Sequence, residues 1–330
     1  MDHSTKIPPL EQIKSARETL GNSIMRTPVI QWQTETKDRL LGKDTEVWIK
    51  LEFFQPGGSF KLRGALLNIR QLDEEGIKRG VTAVSAGNHA IAISMAAKVA
   101  GTHAKVVMPK SANSGRIRRC EELGAEIVLM DNVTEAFQEV KRIEQEEGRV
   151  FIHPFEGPVT ALGTATAGLE FIEDAPQLDA AIIPIGGGGL AAGMGAAFHQ
   201  ASPATRVYGV EPYGANSMFR SFQSGAPASI PAVNTIADSL GAPYALPYSF
   251  ALCQKTLSEL VLLSDKELTS TMQLMFDEFK IAAEPAGAAS LAALLGPLRK
   301  DLEGKVVGCI VCGSNIDSST FFSLIANTKT

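Results

Sequence analysis

Short β-rich runs and helical runs take turns along almost the whole of this chain, and that alternation leaves few folds open to it. Candidate strands are Val47–Leu51, Val81–Val84, Ala104–Met108, Glu126–Met130, Ala180–Ile185, Arg206–Glu211, Glu259–Leu263 and Lys305–Cys312. Helical patterns between them are Lys61–Gln71, Asn88–Ala100, Gly115–Leu123, Thr134–Gln145, Thr160–Phe171, Leu190–His199 and Asp265–Phe279. A helix between two strands carries the chain back over the sheet, so the pattern predicts an α/β protein with parallel, doubly wound sheets. Eight strands are many for one such sheet, and two sheets are expected.

At 330 residues, the chain is long enough for two lobes. No repeat or low-complexity linker marks the boundary, so it is argued from connections. The loop Phe151–Pro158 (FIHPFEGP) holds two prolines and a glycine after a charged helix, and reads as a crossing point between lobes. The loop Ser221–Tyr248 is long and rich in Pro, Ala and Ser, and loops of that length in a compact enzyme are usually functional or mobile.

Charge and composition exclude several classes. Hydrophobic residues at 45% and charged residues at 20% supply an ordinary core, which rules out a disordered chain. Thirty-one Lys+Arg against 36 Asp+Glu leave a net charge of −5 without a basic block, a poor match for nucleic acid or an anionic membrane. The N-terminal MDHSTKIPPLEQIK has neither a basic nor an apolar signal region, and a cytoplasmic protein is expected. Ala180–Phe198 is uncharged, but its proline and six glycines read as strand, turn and helix rather than a membrane span. The four cysteines, Cys120, Cys253, Cys309 and Cys312, are too few for a disulfide framework. Cys309 and Cys312 form a CxxC with no second pair for zinc, so buried thiols are expected, on opposite faces of one strand.

Three strand-to-helix turns carry the chemistry. Ile185-Gly186-Gly187-Gly188-Gly189-Leu190 follows an apolar strand and opens a helix. Its glycines let backbone N–H groups converge, and the helix end adds about half a positive charge, which makes a phosphate cradle. A tight turn or close helix packing is the plainer reading, but four consecutive glycines exceed what a turn needs. The second turn, Val84-Ser85-Ala86-Gly87-Asn88-His89-Ala90, offers N–H groups, a hydroxyl, an amide and an imidazole that suit a carboxylate. Helix capping by Ser85 or Asn88 explains it equally well. The third turn is Pro56-Gly57-Gly58-Ser59-Phe60-Lys61-Leu62-Arg63-Gly64-Ala65. A lysine at a helix start with apolar neighbours has its pKa lowered and is a nucleophile for carbonyls, although a solvated surface lysine is the commoner case.

Together, SFKLRGA, SAGNHA, the tetraglycine turn and the closing CGSN resemble the fold-type II pyridoxal-phosphate enzymes, in particular the serine/threonine dehydratase and serine racemase group. The resemblance covers nearly the whole chain in order and spacing, and the length resembles the catalytic portion alone, as in catabolic threonine dehydratases. It implies a two-lobed, tryptophan synthase β-like fold, each lobe a mainly parallel twisted sheet flanked by helices. Residues 1–53 and 156–330 would form the large cofactor-binding domain, and 54–155 a small domain that closes over the substrate. A homodimer is implied as well.

The same resemblance implies roles. Lys61 would carry pyridoxal 5′-phosphate covalently and act as the catalytic base, with Phe60 packed beside the ring. Gly186, Gly187, Gly188, Gly189 and Leu190 would hold the phosphate, and Asn88 the ring 3′-oxygen. Ser85, Ala86, Gly87, Asn88 and His89 form the loop that grips the substrate carboxylate. Cys312 falls where the family places a Ser or Cys facing the pyridine nitrogen, and Glu284, in AEPAGAA, on an acidic position near the cofactor. A neutral thiol there leaves the nitrogen largely unprotonated, which favours prompt loss of a β-substituent. The implied activity is dehydration and deamination of an L-β-hydroxy amino acid, such as threonine or serine, to a 2-oxo acid and ammonia.

Departures from the family pattern narrow that reading. Racemases of this group carry a second serine where this chain has Ala86, so racemisation is disfavoured. The family's cation site uses positions matching Glu211, Ala215 and a second acid, and the last is Ser217 here, so no metal is expected. Ala237-Asp238-Ser239 replaces the family's Ala-Asp-Gly, placing a long loop near the substrate side chain and leaving its preference open. A β-replacement enzyme on the same scaffold is an alternative. So, from a different class, is a nicotinamide-dependent dehydrogenase, which Gly186, Gly188, Ala191 and the later Glu211 imitate.

Overall fold

The computed structural model describes residues 5–326, and its strands form two separate sheets. In chain order they are β1 (Val29–Gln31), β2 (Glu46–Lys50), β3 (Val81–Val84), β4 (Ala104–Pro109), β5 (Glu126–Met130), β6 (Val150–Phe151), β7 (Ala180–Pro184), β8 (Arg206–Pro212), β9 (Glu259–Leu263) and β10 (Val306–Ile310). The larger sheet has the order β1-β2-β10-β7-β8-β9 and the smaller β5-β4-β3-β6. β1 runs antiparallel to β2, and the remaining strand pairings are parallel. In mid-sheet, Cys309 of β10 stands opposite Ile49 on one side and Ile182 on the other. β3 (VTAV) and β7 (AAIIP) are buried at every position, as parallel strands covered on both faces must be. Apolar cores divide the same way, one around Ile49, Ile182 and Val207, another around Val81, Val106 and Ile93.

Two strands were not expected from sequence, β1 and β6, of three and two residues, too short to show a period. The strand expected to run to Cys312 stops at Ile310, so Cys312 lies beyond the sheet and the two cysteines are not alternating positions of one strand. The loop expected over Ser221–Tyr248 is shorter, because the helices Ser217–Ser224 and Pro247–Thr256 take its ends.

Three helices fix the relative position of two of the turns. The helix Pro158–Asp174 lies between Lys61–Arg70 and Gly189–Ala201, and small residues let all three approach closely. A Cβ on Gly163 would come within 2.7 Å of the Arg63 carbonyl oxygen and the Gly64 Cα. On Gly193 it would meet the Thr164 hydroxyl at 2.0 Å and the Ala161 carbonyl at 2.2 Å. On Gly168 it would meet the Met194 Cα at 2.9 Å.

A buried ion cluster reinforces this layer. Arg63 is completely buried, donating to Glu52 (Nε–Oε2 and Nη2–Oε1, both 2.8 Å), Glu170 (Nη1–Oε1, 2.9 Å; Nη2–Oε2, 2.7 Å) and the Thr166 hydroxyl. Lys50 adds a bond to Glu170 at 3.0 Å and another to the Thr27 carbonyl. Two cations and two carboxylates balance, and the arginine that ties them sits two residues after Lys61. Removing one partner of such a set costs about 3–5 kcal/mol, because it strands a charge in the core.

Candidate active site

Lys61 is the first residue of the helix Lys61–Arg70, whose cap, Phe60, lends no side-chain hydrogen bond. The Phe60 N–H donates to the Cys312 carbonyl at 3.0 Å, and Ser59 bridges Gly313, so the lysine turn is stitched to the segment after β10. Lys61 Nζ donates to the Pro154 carbonyl at 2.6 Å and lies 5.2 Å from the Phe60 ring centroid. Its pKa is lowered to about 8 by burial, against the pull of the Cys312 and Glu284 side chains. A substantial share of the amine is therefore neutral near pH 8 and able to attack a carbonyl. The sequence reading attributed this to the helix end together with apolar neighbours, and enclosure is the largest cause.

The tetraglycine turn faces Lys61 across one cleft, which Phe60, Asn88, Leu190, Glu284 and Cys312 also line. Gly188 has φ +96°, and the helix Gly189–Ala201 starts immediately after it. A Cβ on Gly187 would stand 2.2 Å from the Phe155 ring, and one on Gly189 would stand 2.6 Å from the Phe155 carbonyl. Gly186 is crowded by the Ser239 carbonyl at 3.1 Å. Close packing thus asks for glycine at each position, so that plainer reading holds alongside the cradle. The first N–H groups of the helix have no intrahelical partner, and Gly189 and Leu190, which carry two of them, line the cleft.

On the second turn, the Ser85 hydroxyl accepts from the Gly87 N–H at 3.1 Å, a local capping bond. Asn88 does something else. Its Nδ2 donates to Glu284 Oε1 at 2.6 Å and to the Ser239 hydroxyl at 3.2 Å, while its Oδ1 accepts from Asn315 Nδ2 at 2.7 Å. His89 is buried with Nε2 at 2.9 Å from the Ile152 carbonyl, and burial lowers its pKa to about 3, so the ring is neutral. Ser85, Ala86, Gly87, Asn88 and His89 all line a chamber of about 270 Å³ that also reaches Lys61.

Glu284 is buried and its pKa is raised to about 7 by burial, with Asp238 adding to the effect and Arg116 opposing it. Glu284 Oε2 is buried without a hydrogen-bond partner. The Cys312 thiol donates to the Ala286 carbonyl at 3.4 Å, and burial pushes its pKa up, so it stays protonated. An amine with a depressed pKa, a glycine turn at a helix end, a neutral thiol and an orphaned carboxylate oxygen meet in one cleft. That donor set fits a phosphorylated aldehyde with a heteroaromatic ring, the group the resemblance implies.

Glu211 lies elsewhere. Both its oxygens cap the helix Ser217–Ser224, accepting from Met218 N (3.0 Å) and Phe219 N (2.7 Å). Burial raises its pKa to about 8. It is buried at the end of β8 and cannot also hold a ribose, which corrects the dehydrogenase alternative. The Ser217 hydroxyl donates to the Ala242 carbonyl at 3.1 Å. Among the described residues, no group of three or more His, Cys, Asp or Glu side chains is placed to hold a metal ion. Nor is any helix among them long and apolar enough to cross a membrane.

Sequence reasoning passed over several residues at this site. Phe137 and Phe155 line the chamber, and so do Ser239 and Tyr244, which belong to the loop expected near the substrate side chain. Arg116, in the helix Ser114–Glu122, reaches from the small-sheet part to the large, donating to Asp238 Oδ2 at 2.5 Å and to the Asn315 carbonyl at 2.9 and 3.1 Å. Asn113 makes a parallel bond to Asp317 at 2.9 Å. The SAGNHA and SFKLRGA motifs drew attention because their residue types are unusual. A lone phenylalanine or arginine on a helix carries no such signal.

Comparison with known proteins places this geometry. The family model described as "Pyridoxal-phosphate dependent enzyme" matches residues 21–313. Phenylserine dehydratase of Ralstonia pickettii is 47% identical over 318 residues, covering 96% of either chain. L-threonine ammonia-lyase of Thermotoga maritima is 37% identical over 309 residues, 93% of this chain and 76% of the relative. The structure of maize serine racemase superposes with a TM-score of 0.91 at 31% identity, over 98% of each chain.

Proposed function

The chain belongs to the pyridoxal-phosphate-dependent enzymes of fold type II, and from that premise we propose an ammonia-lyase that dehydrates an L-β-hydroxy amino acid to an enamine whose hydrolysis gives a 2-oxo acid and ammonia. The observation that carries this is the lysine amine of lowered pKa facing the glycine turn across one cleft, with the Ser85–His89 loop on the adjoining chamber. Lys61 would hold the cofactor through Nζ, the N–H groups of Gly186 to Leu190 its phosphate, and Phe60, Asn88, Glu284 and Cys312 its ring. Bound, pyridoxal phosphate supplies an electron sink for the pair left at Cα when its proton departs.

The protein's own groups do the rest. The Ser85–His89 loop presents N–H groups and the start of the helix Asn88–Ala100 to the substrate carboxylate. Lys61 Nζ takes the Cα proton, a role its lowered pKa suits near neutral pH. The β-hydroxyl leaves as water with the proton that Lys61 took from Cα, and the released enamine tautomerises and hydrolyses to the oxo acid and ammonia. The Cys312 thiol, neutral because it is buried, puts no negative charge beside the ring. Residues 54–155 would close on 1–53 and 156–330 over the substrate, with Arg116 and Asp238 on opposite sides of the seam. A homodimer is the state carried over from the family resemblance, and light scattering at micromolar concentration tests it.

Relatives named serine racemase exist at 33% identity, so racemisation is the second reading. Ala86 lines the chamber with a methyl group and offers no proton to the far face of the substrate, which favours elimination. Holoenzyme incubated with L-threonine and L-serine is expected to release ammonia and 2-oxobutyrate or pyruvate, with D-serine below detection. Accumulation of D-serine without oxo acid would replace this reading by the second.

A further inference from the structure

We propose that the chamber beside Lys61 selects a β-hydroxy amino acid whose β-carbon carries an aryl group, and that Phe137 and Tyr244 set that preference. The inference rests on the lyase reading above and names the substrate class of the same site. The chamber, of about 270 Å³, divides by chemistry. One end is polar, with Lys61 and the Ser85–His89 loop, and is committed to the amine and the carboxylate. Most of the remaining wall is apolar, led by Phe137, Phe155, Tyr244, Pro154 and Pro243, with Asp238 and Ser239 its polar members. A cavity of about 150 Å³ is enough for benzene, so a phenyl group fits the apolar part beside an amino-acid backbone.

The rings come from separate elements. Phe137 stands on the helix Val133–Glu147, Phe155 on the loop after β6, and Tyr244 on the loop before the helix Pro247–Thr256. Phe155 and Tyr244 have centroids 6.3 Å apart at an interplanar angle of 52°, inside the range in which aromatic faces and edges attract. A substrate ring entering between them and Phe137 meets aromatic wall on more than one side. A methyl or hydrogen at that position leaves much of the wall without contact.

The charges exclude the other common substituent. The charged side chains lining the chamber are Lys61 and Asp238. Lys61 is taken by the chemistry, and Asp238 is an acid already paired with Arg116. His89 is on the wall and His153 sits edge-on to Phe155, and burial holds both neutral. Arg116 is spent on Asp238 and the Asn315 carbonyl. A carboxylate on the β-carbon would therefore be desolvated with no cation to meet it, beside an aspartate that repels it.

The test has a turnover arm and a binding arm on holoenzyme. In turnover, 3-phenylserine is expected to exceed threonine in kcat/KM by at least about tenfold, and 3-hydroxyaspartate by more. In binding, L-phenylalanine, L-alanine and L-aspartate, which have no hydroxyl to lose, are titrated against the visible absorbance of the bound cofactor. Phenylalanine should bind tightest and aspartate weakest. Phe137→Ala and Tyr244→Ala should each weaken phenylalanine about three- to tenfold, the range of one aromatic pair, and Tyr244→Phe should restore it. Phe137→Arg should reverse the order of phenylalanine and aspartate. Alanine or aspartate binding as tightly as phenylalanine overturns the proposal, whatever the variants do. An aryl preference that all the variants leave intact overturns the assignment to Phe137 and Tyr244. If no 3-hydroxy amino acid releases ammonia, the lyase reading falls, while the binding order still decides what the chamber holds.

Discussion

Replacing Gly187 with alanine is expected to weaken both the packing around the glycine turn and its hold on pyridoxal phosphate. The new Cβ would stand 2.2–2.3 Å from three atoms of the Phe155 ring, more than 1 Å inside the 3.4 Å of ordinary contact. That ring cannot slide aside freely. His153 braces it edge-on at a centroid distance of 4.5 Å, and Tyr244 lies 6.3 Å away on the chamber side. Overpacking of a filled interior costs about 1–3 kcal/mol, and a rigid ring held by its neighbours belongs in the upper half of that range. If the turn yields, about 2 kcal/mol is taken from cofactor binding, a loss of about 30-fold in affinity. If the ring yields instead, the chamber loses volume and aryl substrates suffer most. Fluorescence titration of the apoenzyme with pyridoxal phosphate reads the first, and urea unfolding of the holoenzyme reads the total. Phe155→Leu in the same chain shortens the obstructing side chain and should recover at least half the loss, a coupling the double-mutant cycle isolates. A Gly187→Ala enzyme with unchanged cofactor affinity and stability within about 0.5 kcal/mol of wild type would refute the packing argument.

Three further outcomes follow from the site. Because the Lys61 pKa is lowered to about 8, cofactor uptake by apoenzyme should speed up about tenfold per pH unit below pH 8 and level off above it; a rate indifferent to pH between about 6 and 9 contradicts that enclosure. His89 has its pKa lowered to about 3, first by burial and then by the Lys61 charge, so its contribution to stability is complete above the unfolded value of about 6.5 and is lost as pH falls towards 3. Between pH 6.5 and 5 the loss is about 2 kcal/mol, and His89→Gln should flatten the acid side of the urea-midpoint profile, whereas an equal slope speaks against a buried neutral ring. Arg116→Gln removes the fork that joins Asp238 to the Asn315 carbonyl, so KM should rise by about tenfold with the cofactor absorbance retained. An unchanged KM would mean that the seam closes without it.

Much of this was legible from residue order alone, because the chemistry sits on strand-to-helix turns whose composition is abnormal. The glycine run, SAGNHA and SFKLRGA each break the surrounding apolar periodicity, and each is where a helix begins or is about to begin. The eight longer strands declared themselves as short apolar runs between helical patterns. Pro285–Leu295 was missed as a helix because PAGAASLAALL is small and apolar all round and buried throughout, so it has no polar face to set a period. Asn88 was anticipated at the cofactor, but its grip on Glu284, 196 positions away, is a product of the tertiary fold. The same holds for Arg63, whose partner Glu170 lies 107 positions away, and for Phe137, an ordinary residue until the fold brings it to the chamber.

The most direct measurement is peptide mapping after borohydride reduction of the holoenzyme. Reduction fixes a cofactor held as an imine, and the digest should carry one pyridoxyl phosphate, on Lys61. Lys61→Ala should carry none and lose the visible absorbance while remaining folded. A label on Lys50 or any other lysine, or a reduced holoenzyme with no label at all, would contradict the assignment of this cleft.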